Sequence, residues 1–225
     1  MTTSTRARLI TPRFALIVAS GFFYFTALSV VLPVIPHYVE DELGGGGTAV
    51  GVAVGSFAVG ALALRVYAGR IGDRFGRRVL IITGALVVAV ATALYGVVPA
   101  LWWLVGIRAI AGIGEAAFFV GAATMITDLA PVERRGEAVS YWSVAVYGGL
   151  ALGPVLGEAV QGDDRFAAAW LVSAGVVVPV PPSVGIGRMR CFRPELVEIP
   201  ADGDAAITLE MGFSRSGVVQ VVWHY

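Results

Sequence analysis

Apolar segments long enough to cross a membrane recur along this chain, and short polar segments separate them. A bilayer core of about 30 Å takes roughly 20 helical residues, so each segment can span it once. The pattern predicts six transmembrane helices, at 14–35, 49–68, 79–98, 101–126, 139–160 and 167–187. Pro33 and Pro36 mark the predicted end of the first span, and a Pro-rich run at 178–182 interrupts the sixth. The predicted fold class is therefore an all-α membrane protein, with a six-helix domain over 1–187 and a tail over 188–225.

The arginines are concentrated in alternate connections between these spans. Six spans place thirteen of the sixteen arginines on one side, in the N-terminal segment, the 70–78 loop, the 133–135 loop and the tail. The opposite side holds only Arg165, and its longest loop, 37–47, is acidic and then glycine-rich. Because positively charged loops stay in the cytoplasm, both termini are predicted to be cytoplasmic.

Composition agrees with a membrane protein and argues against several other classes. The chain is 57% hydrophobic and 14% charged, and its mean hydropathy is +0.79. A net charge of zero argues against a nucleic-acid partner. Cys191, His37 and His224 are too few to build a zinc cluster or a disulfide framework. Since both histidines lie outside the spans, an intramembrane serine protease is disfavoured, and no enzyme is predicted. All basic residues except histidine are Arg, which is typical of a high-GC bacterium.

The loop between the second and third predicted spans carries the most specific pattern. Its candidate gating residues are Gly69, Asp73, Arg74, Gly76, Arg77 and Arg78. Gly69 and Gly76 permit a tight reversal between two helices, and the arginines can bind anionic lipid headgroups. Asp73 is the one acid among the arginines of this loop and is expected to be paired. A basic loop that only sets orientation would explain the same composition.

The spacing of this loop resembles the signature loop of the major facilitator superfamily, in the place between the second and third helices where that family has it. The segment 108–114 resembles the same family's arginine followed by spaced glycines, and 130–136 resembles its connection before the fifth helix. A glycine-proline motif associated with antiporters is matched in span five by Gly149, Gly153, Pro154 and Gly157. The resemblance covers about 14–178 and implies the N-terminal six-helix half of a small-molecule efflux transporter.

The fourth span carries two charges on one helix face. Arg108, Gly112 and Glu115 are spaced to share that face, with Glu115 roughly 10 Å beyond Arg108 along the axis. Because charges at that depth are costly against lipid, the face should line a wet cavity or a helix interface. Either it forms a substrate or proton pathway, or it is a structural polar interface in which the two charges satisfy each other and neighbouring backbone. Burial favours the protonated form of Glu115, whereas the nearby charge of Arg108 favours the ionised form. The sequence therefore leaves the charge state of Glu115 open. The resemblance places helix one beside the same cavity, which adds Tyr24 and Thr26 as candidates.

Three other features admit a purely structural interpretation. Arg65 lies one turn before the basic loop and can extend to the headgroups, so it is predicted to be a membrane anchor. Glu158 lies near the outer end of span five, where it can reach water. The glycines and Pro154 of span five can serve close helix packing and a bend.

The expected function is proton-coupled export of small organic molecules by alternating access, as the resemblance implies. No cofactor is expected, since the proton gradient supplies the energy. Expected partners are the substrate, the lipid bilayer, and either a second copy or a separate C-terminal six-helix half, because the family has two such halves. The expected location is the bacterial inner membrane. The alternative is a truncated, non-transporting fragment or a regulatory partner of an intact carrier, and the composition of the tail is consistent with either a frameshift product or a genuine short tail.

Overall fold

The computed structural model describes residues 9–161, Trp170, Ser173 and two strands near the C-terminus. Its helices are α1 (Pro12–Asp41), α2 (Gly47–Phe75), α3 (Arg77–Leu94), α4 (Leu101–Leu129) and α5 (Arg135–Gln161). Single 3-10 turns at Tyr95–Val97 and Val132–Arg134 precede α4 and α5. All five helices are long and apolar enough to cross a membrane, which confirms the helical membrane fold, and the first five predicted spans fall on these helices. The sixth predicted span, 167–187, lies outside the described residues apart from Trp170 and Ser173.

The first helix is longer than its apolar segment. Thr11 caps its start, where the Thr11 hydroxyl accepts from the Phe14 amide at 3.3 Å. The prediction that Pro33 and Pro36 end the span is wrong, because α1 continues through both to Asp41. Each proline removes one backbone hydrogen bond, but the turns beyond them are held by burial among aromatic side chains.

The reversal between α2 and α3 takes a single residue. Gly76 has φ +94° and ψ 142°, a conformation that side chains disfavour, and it separates Phe75 from the first residue of α3. Gly69 lies inside α2 and takes no part in the turn, so that part of the prediction is wrong. Arg77 then joins the start of α3 to the end of α4, since it pairs with Asp128 and donates to the Thr124 carbonyl at 3.0 Å.

The helices pack mainly as α1 with α5 and as α4 with both α2 and α3. Glycine permits the close approach of α1 to α5 and of α4 to α2. Gly149, Gly153 and Gly157 lie against the α1 backbone, and Gly112 lies against the α2 backbone. The Ser29 hydroxyl also donates to the Gly149 carbonyl at 3.0 Å, which adds a polar link between α1 and α5. Small residues that admit close backbone contact are typical of helix packing in membranes.

The chain divides into two compact units, Met1–Gly185 and Ile186–Tyr225. Within the first unit, the Ser173 hydroxyl donates to the Ala27 carbonyl of α1 at 2.6 Å. The second unit contains an antiparallel pair of strands, β1 (Thr208–Phe213) and β2 (Val219–His224). These strands lie in the segment predicted as a tail and are the β-structure found among the described residues.

Candidate substrate and proton site

Glu115 is the buried acid of the membrane domain. It lies in α4 and is 5% exposed. Arg65 of α2 donates from Nη2 to the Glu115 Oε1 atom at 3.3 Å, while its guanidinium lies 5.2 Å from the centre of the Phe119 ring. The other carboxylate oxygen, Oε2, is buried and has no hydrogen-bond partner among the described residues. Arg65 is therefore the counter-ion of Glu115, a contact that its interpretation as a membrane anchor does not include.

Arg108 lies two turns earlier on α4 and is 4% exposed. Its Nε donates to the Ala53 carbonyl of α2 at 2.8 Å. The guanidinium lies over two aromatic rings, 5.3 Å from the centre of Phe57 and 5.9 Å from that of Tyr95. No carboxylate of the described residues pairs with it. Arg108 and Glu115 therefore do not pair with each other, because each reaches sideways to α2, and the contact of Arg108 with a backbone carbonyl is one that the structural interpretation includes.

A cavity of about 220 Å³ adjoins Arg108. Its polar lining consists of Arg108, Ser29, Thr92 and Tyr95, and its apolar lining is contributed by Leu28, Val31, Leu32, Phe57 and Leu150. The lining residues come from α1, α2, α3, α4, α5 and the 3-10 turn before α4, so the cavity lies where most of the described bundle meets. Arg108 is the only ionisable group of this lining that is charged at neutral pH, which gives the cavity a positive character.

The two candidates on α1 occupy different places. Tyr24 is fully buried and stacks on Phe118, with ring centres 3.7 Å apart and planes at 15°. Its hydroxyl is buried without a hydrogen-bond partner among the described residues. Because Phe118 follows Glu115 by three residues, this stacking brings Tyr24 to the Glu115 turn of α4. Thr26 instead donates to the Phe22 carbonyl of its own helix at 2.8 Å, and its backbone faces Gly153 of α5.

Comparison with known proteins identifies the family. The profile of the Major Facilitator Superfamily matches residues 17–187, more than half of the chain. The chain belongs to the major facilitator superfamily. It is accordingly a multi-pass membrane protein of a transporter family, and it is not an enzyme.

Its curated relatives in the superfamily include resistance proteins. The chain is 35% identical over 136 residues to multidrug resistance protein 1 of Bacillus subtilis, covering 60% of this chain and 35% of the relative. It is 27% identical over 136 residues to the quinolone resistance protein NorA of Staphylococcus aureus, with the same two coverages. An uncharacterized MFS-type transporter of Salmonella typhimurium is 28% identical over 221 residues, covering 91% of this chain and 57% of the relative. The chain thus spans between 35% and 57% of the length of these relatives.

The superfamily's signature loop is only partly paired in this structure. Asp73 is exposed and makes no ion pair with another described residue, so the expectation of a partner is wrong within this part of the chain. Arg74 lies over the Phe75 ring at 5.4 Å, and Arg78 is exposed. Arg77 is the loop residue with an acidic partner, Asp128 at the far end of α4.

Sequence reasoning missed two members of the site. Arg65 lies in the second predicted span and its partner Glu115 in the fourth, and the aromatic partner Tyr95 lies inside the third. The sequence does contain a signal for the pairing of Arg65, because Arg65, Arg108 and Glu115 are the charges inside the second and fourth predicted spans. One acid and two arginines in apolar helices allow two pairings, and spacing along a single helix favours the wrong one.

Proposed function

We propose that this chain forms half of a proton-coupled exporter of small organic molecules that works by alternating access. The observation that carries the proposal is the environment of Glu115. A carboxylate with one oxygen on Arg65 and one buried, unpartnered oxygen offers a place for a proton inside the membrane. Ionisable groups within membrane helices commonly mark proton pathways.

The ion pair gives protonation a structural consequence. The ionised Glu115 attracts Arg65 and so holds α4 to α2 at this level. Protonation removes that attraction, and Arg65 can then leave, because its side chain is already 49% exposed. A proton on Glu115 therefore loosens one of the contacts between two helices that a rocking motion would displace. The proton gradient supplies the energy, and no cofactor enters the cycle.

Export, substrate class and partner rest on similarity to other proteins. Two of the relatives described above are named for resistance to drugs or quinolones, which supports small organic molecules as substrates and export as the direction. In transporters built from repeated halves, substrate sites lie at the interface between repeats. We therefore propose that a second six-helix unit, either another copy or a separate chain, completes the pathway in the inner membrane, with both termini of this chain in the cytoplasm.

The experiment that tests the proposal is proton-driven flux in vesicles. The chain is reconstituted alone and together with a candidate second half, a pH gradient is imposed, and movement of a fluorescent quinolone is followed. Glu115→Gln should abolish gradient-driven flux while leaving membrane insertion and helical content unchanged. Glu158→Gln is the matched control, because Glu158 is an exposed acid of α5, and it should retain flux.

Two outcomes would contradict the proposal. Equal gradient-driven flux in Glu115→Gln and the unaltered chain would remove the proton-binding role. Absence of flux in every reconstitution would favour a non-transporting or regulatory membrane protein.

A further inference from the structure

The charge on Arg108 lacks a counter-ion in the described part of the chain. The acid on the same helix face, Glu115, is held by Arg65, and Arg108 is compensated by the Ala53 carbonyl and two aromatic faces. A neutral carbonyl and the quadrupoles of aromatic rings stabilise a cation only in part. A charge buried away from water loses more hydration free energy than these contacts return, unless an opposite charge pairs with it. The site is therefore short of one negative charge.

Arg108 carries more donors than the one that the Ala53 carbonyl accepts from. A guanidinium carries five N–H donors in a fixed fork, and Ala53 accepts from Nε alone. The two terminal nitrogens carry the other four, and the Tyr95 side chain lies beside the guanidinium in the cavity wall. Two parallel N–H groups match the two oxygens of a carboxylate, which is the bidentate geometry that arginine favours.

The remaining lining selects against a cation and favours an apolar body. Among the described residues, the cavity wall contains no acid that could hold an amine. The hydroxyls of Ser29 and Thr92 lie within hydrogen-bond distance of carbonyls of their own helices, Ser29 of Phe25 at 2.7 Å and Thr92 of Val88 at 2.7 Å, which leaves Arg108 as the charged donor of the described lining. Leucine, valine and phenylalanine side chains complete the wall. Its volume of about 220 Å³ equals that of roughly seven water molecules, enough for a carboxylate attached to a small ring.

We propose that this cavity is a binding subsite for the carboxylate group of an amphiphilic organic acid, with Arg108 as the group that pairs with it. The subsite rests on the proposed transport function and names the substrate class for it. It is separate from Glu115, so the acid group of the substrate and the transported proton occupy different places on α4. Binding can be measured without transport.

The experiment compares two probes that differ in charge. Radiolabelled benzoate and radiolabelled benzamide have nearly the same shape, and only benzoate carries a negative charge at neutral pH. Equilibrium dialysis against the full chain in mild detergent measures binding of each. We expect saturable benzoate binding at least tenfold tighter than benzamide binding, and comparable affinities for the two probes would overturn the proposal without any variant.

Substitutions then test Arg108 itself. Arg108→Gln should weaken benzoate binding at least tenfold and leave benzamide binding unchanged, and Arg108→Lys should retain part of the preference because it keeps the charge. Arg13→Gln is the matched control, since Arg13 is exposed at the start of α1, and it should bind like the unaltered chain. Circular dichroism verifies that each variant is folded. Unchanged benzoate binding in a folded Arg108→Gln chain would overturn the assignment.

The outcome is separable from that of the flux experiment. Selective benzoate binding without flux would support the subsite and contradict transport by this chain. Flux that is driven by protons, with no preference for benzoate, would support transport and overturn the subsite.

Discussion

The close contact between α1 and α5 makes a sharp prediction about Gly153. A methyl group at this position would meet the Ser29 hydroxyl of α1 and would lie 2.6 Å from the Thr26 carbonyl oxygen and 2.7 Å from the Ser29 Cβ. Ordinary contact begins near 3.4 Å, so the Cβ atom of Gly153→Ala would lie about 0.8 Å too close to the Thr26 carbonyl oxygen. Backbone atoms of a helix cannot rotate away, so α1 and α5 must separate.

The magnitude follows from two opposing effects. Overpacking of a close contact costs about 1–3 kcal/mol, and three simultaneous contacts with a rigid neighbour favour the upper value. Replacing glycine by alanine within a helix returns about 1 kcal/mol through backbone entropy. The expected net loss in the free energy of unfolding is therefore about 2 kcal/mol, which is roughly a 30-fold change in the unfolding equilibrium.

The assay is unfolding by SDS titration in mild detergent, followed by circular dichroism. Gly148→Ala is the matched control five residues earlier on α5, where a Cβ would lie 3.5 Å from the Phe22 ring, an ordinary contact. That variant should be as stable as the unaltered chain or up to about 1 kcal/mol more stable, so the two variants should differ by about 2–3 kcal/mol. Equal stability of Gly153→Ala and Gly148→Ala would show that α1 and α5 do not approach so closely.

Two further predictions concern the connection between α2 and α3. Gly76→Ala should destabilise the chain by about 1–3 kcal/mol in the same titration, because φ +94° is strained for alanine even where no atom lies within 4 Å. The control Gly69→Ala, inside α2, should not destabilise the chain. Equal effects of the two substitutions would locate the turn elsewhere. Asp73→Asn should slow proton-driven flux without changing helical content or orientation, because its exposed carboxylate is available to a second half, and normal turnover would mean that the loop only sets orientation.

The positions of the helices could be predicted from hydropathy, because a segment that crosses the lipid bilayer must be apolar over about 20 residues. Their ends could not be predicted equally well. Pro33 and Pro36 interrupt the hydrogen bonds of α1, yet the helix persists because residues beyond them, such as Val39, are fully buried. That burial depends on aromatic partners far along the chain, among them Trp170, and no local pattern contains this information.

The candidate site was predictable in its residue types and not in its pairings. Periodicity places Arg108 and Glu115 on one face of α4, which the structure agrees with, since both are buried. Which group neutralises each one depends on where α2 crosses α4, and that crossing is set by contacts such as Gly112 against the Phe57 backbone. A charge pair between helices can thus be inferred from sequence only after the crossing point is known.

The position of α2 also explains how one helix face can serve two chemical tasks. If Arg108 and Glu115 paired with each other, the acid would lose its unpartnered oxygen and the arginine would lose its affinity for an anion. Instead Arg65 takes one oxygen of Glu115, and the Ala53 carbonyl takes one donor of Arg108. Both contacts come from α2, and each occupies only part of its group: Oε2 of Glu115 has no partner among the described residues, and Ala53 accepts from Nε of Arg108 alone. Under the proposals above, that oxygen takes the proton and the terminal guanidinium nitrogens, two turns away, take the anion. A carrier that exchanges a proton for an organic acid needs these two groups close enough to respond to the same movement of α2 and far enough apart not to neutralise each other.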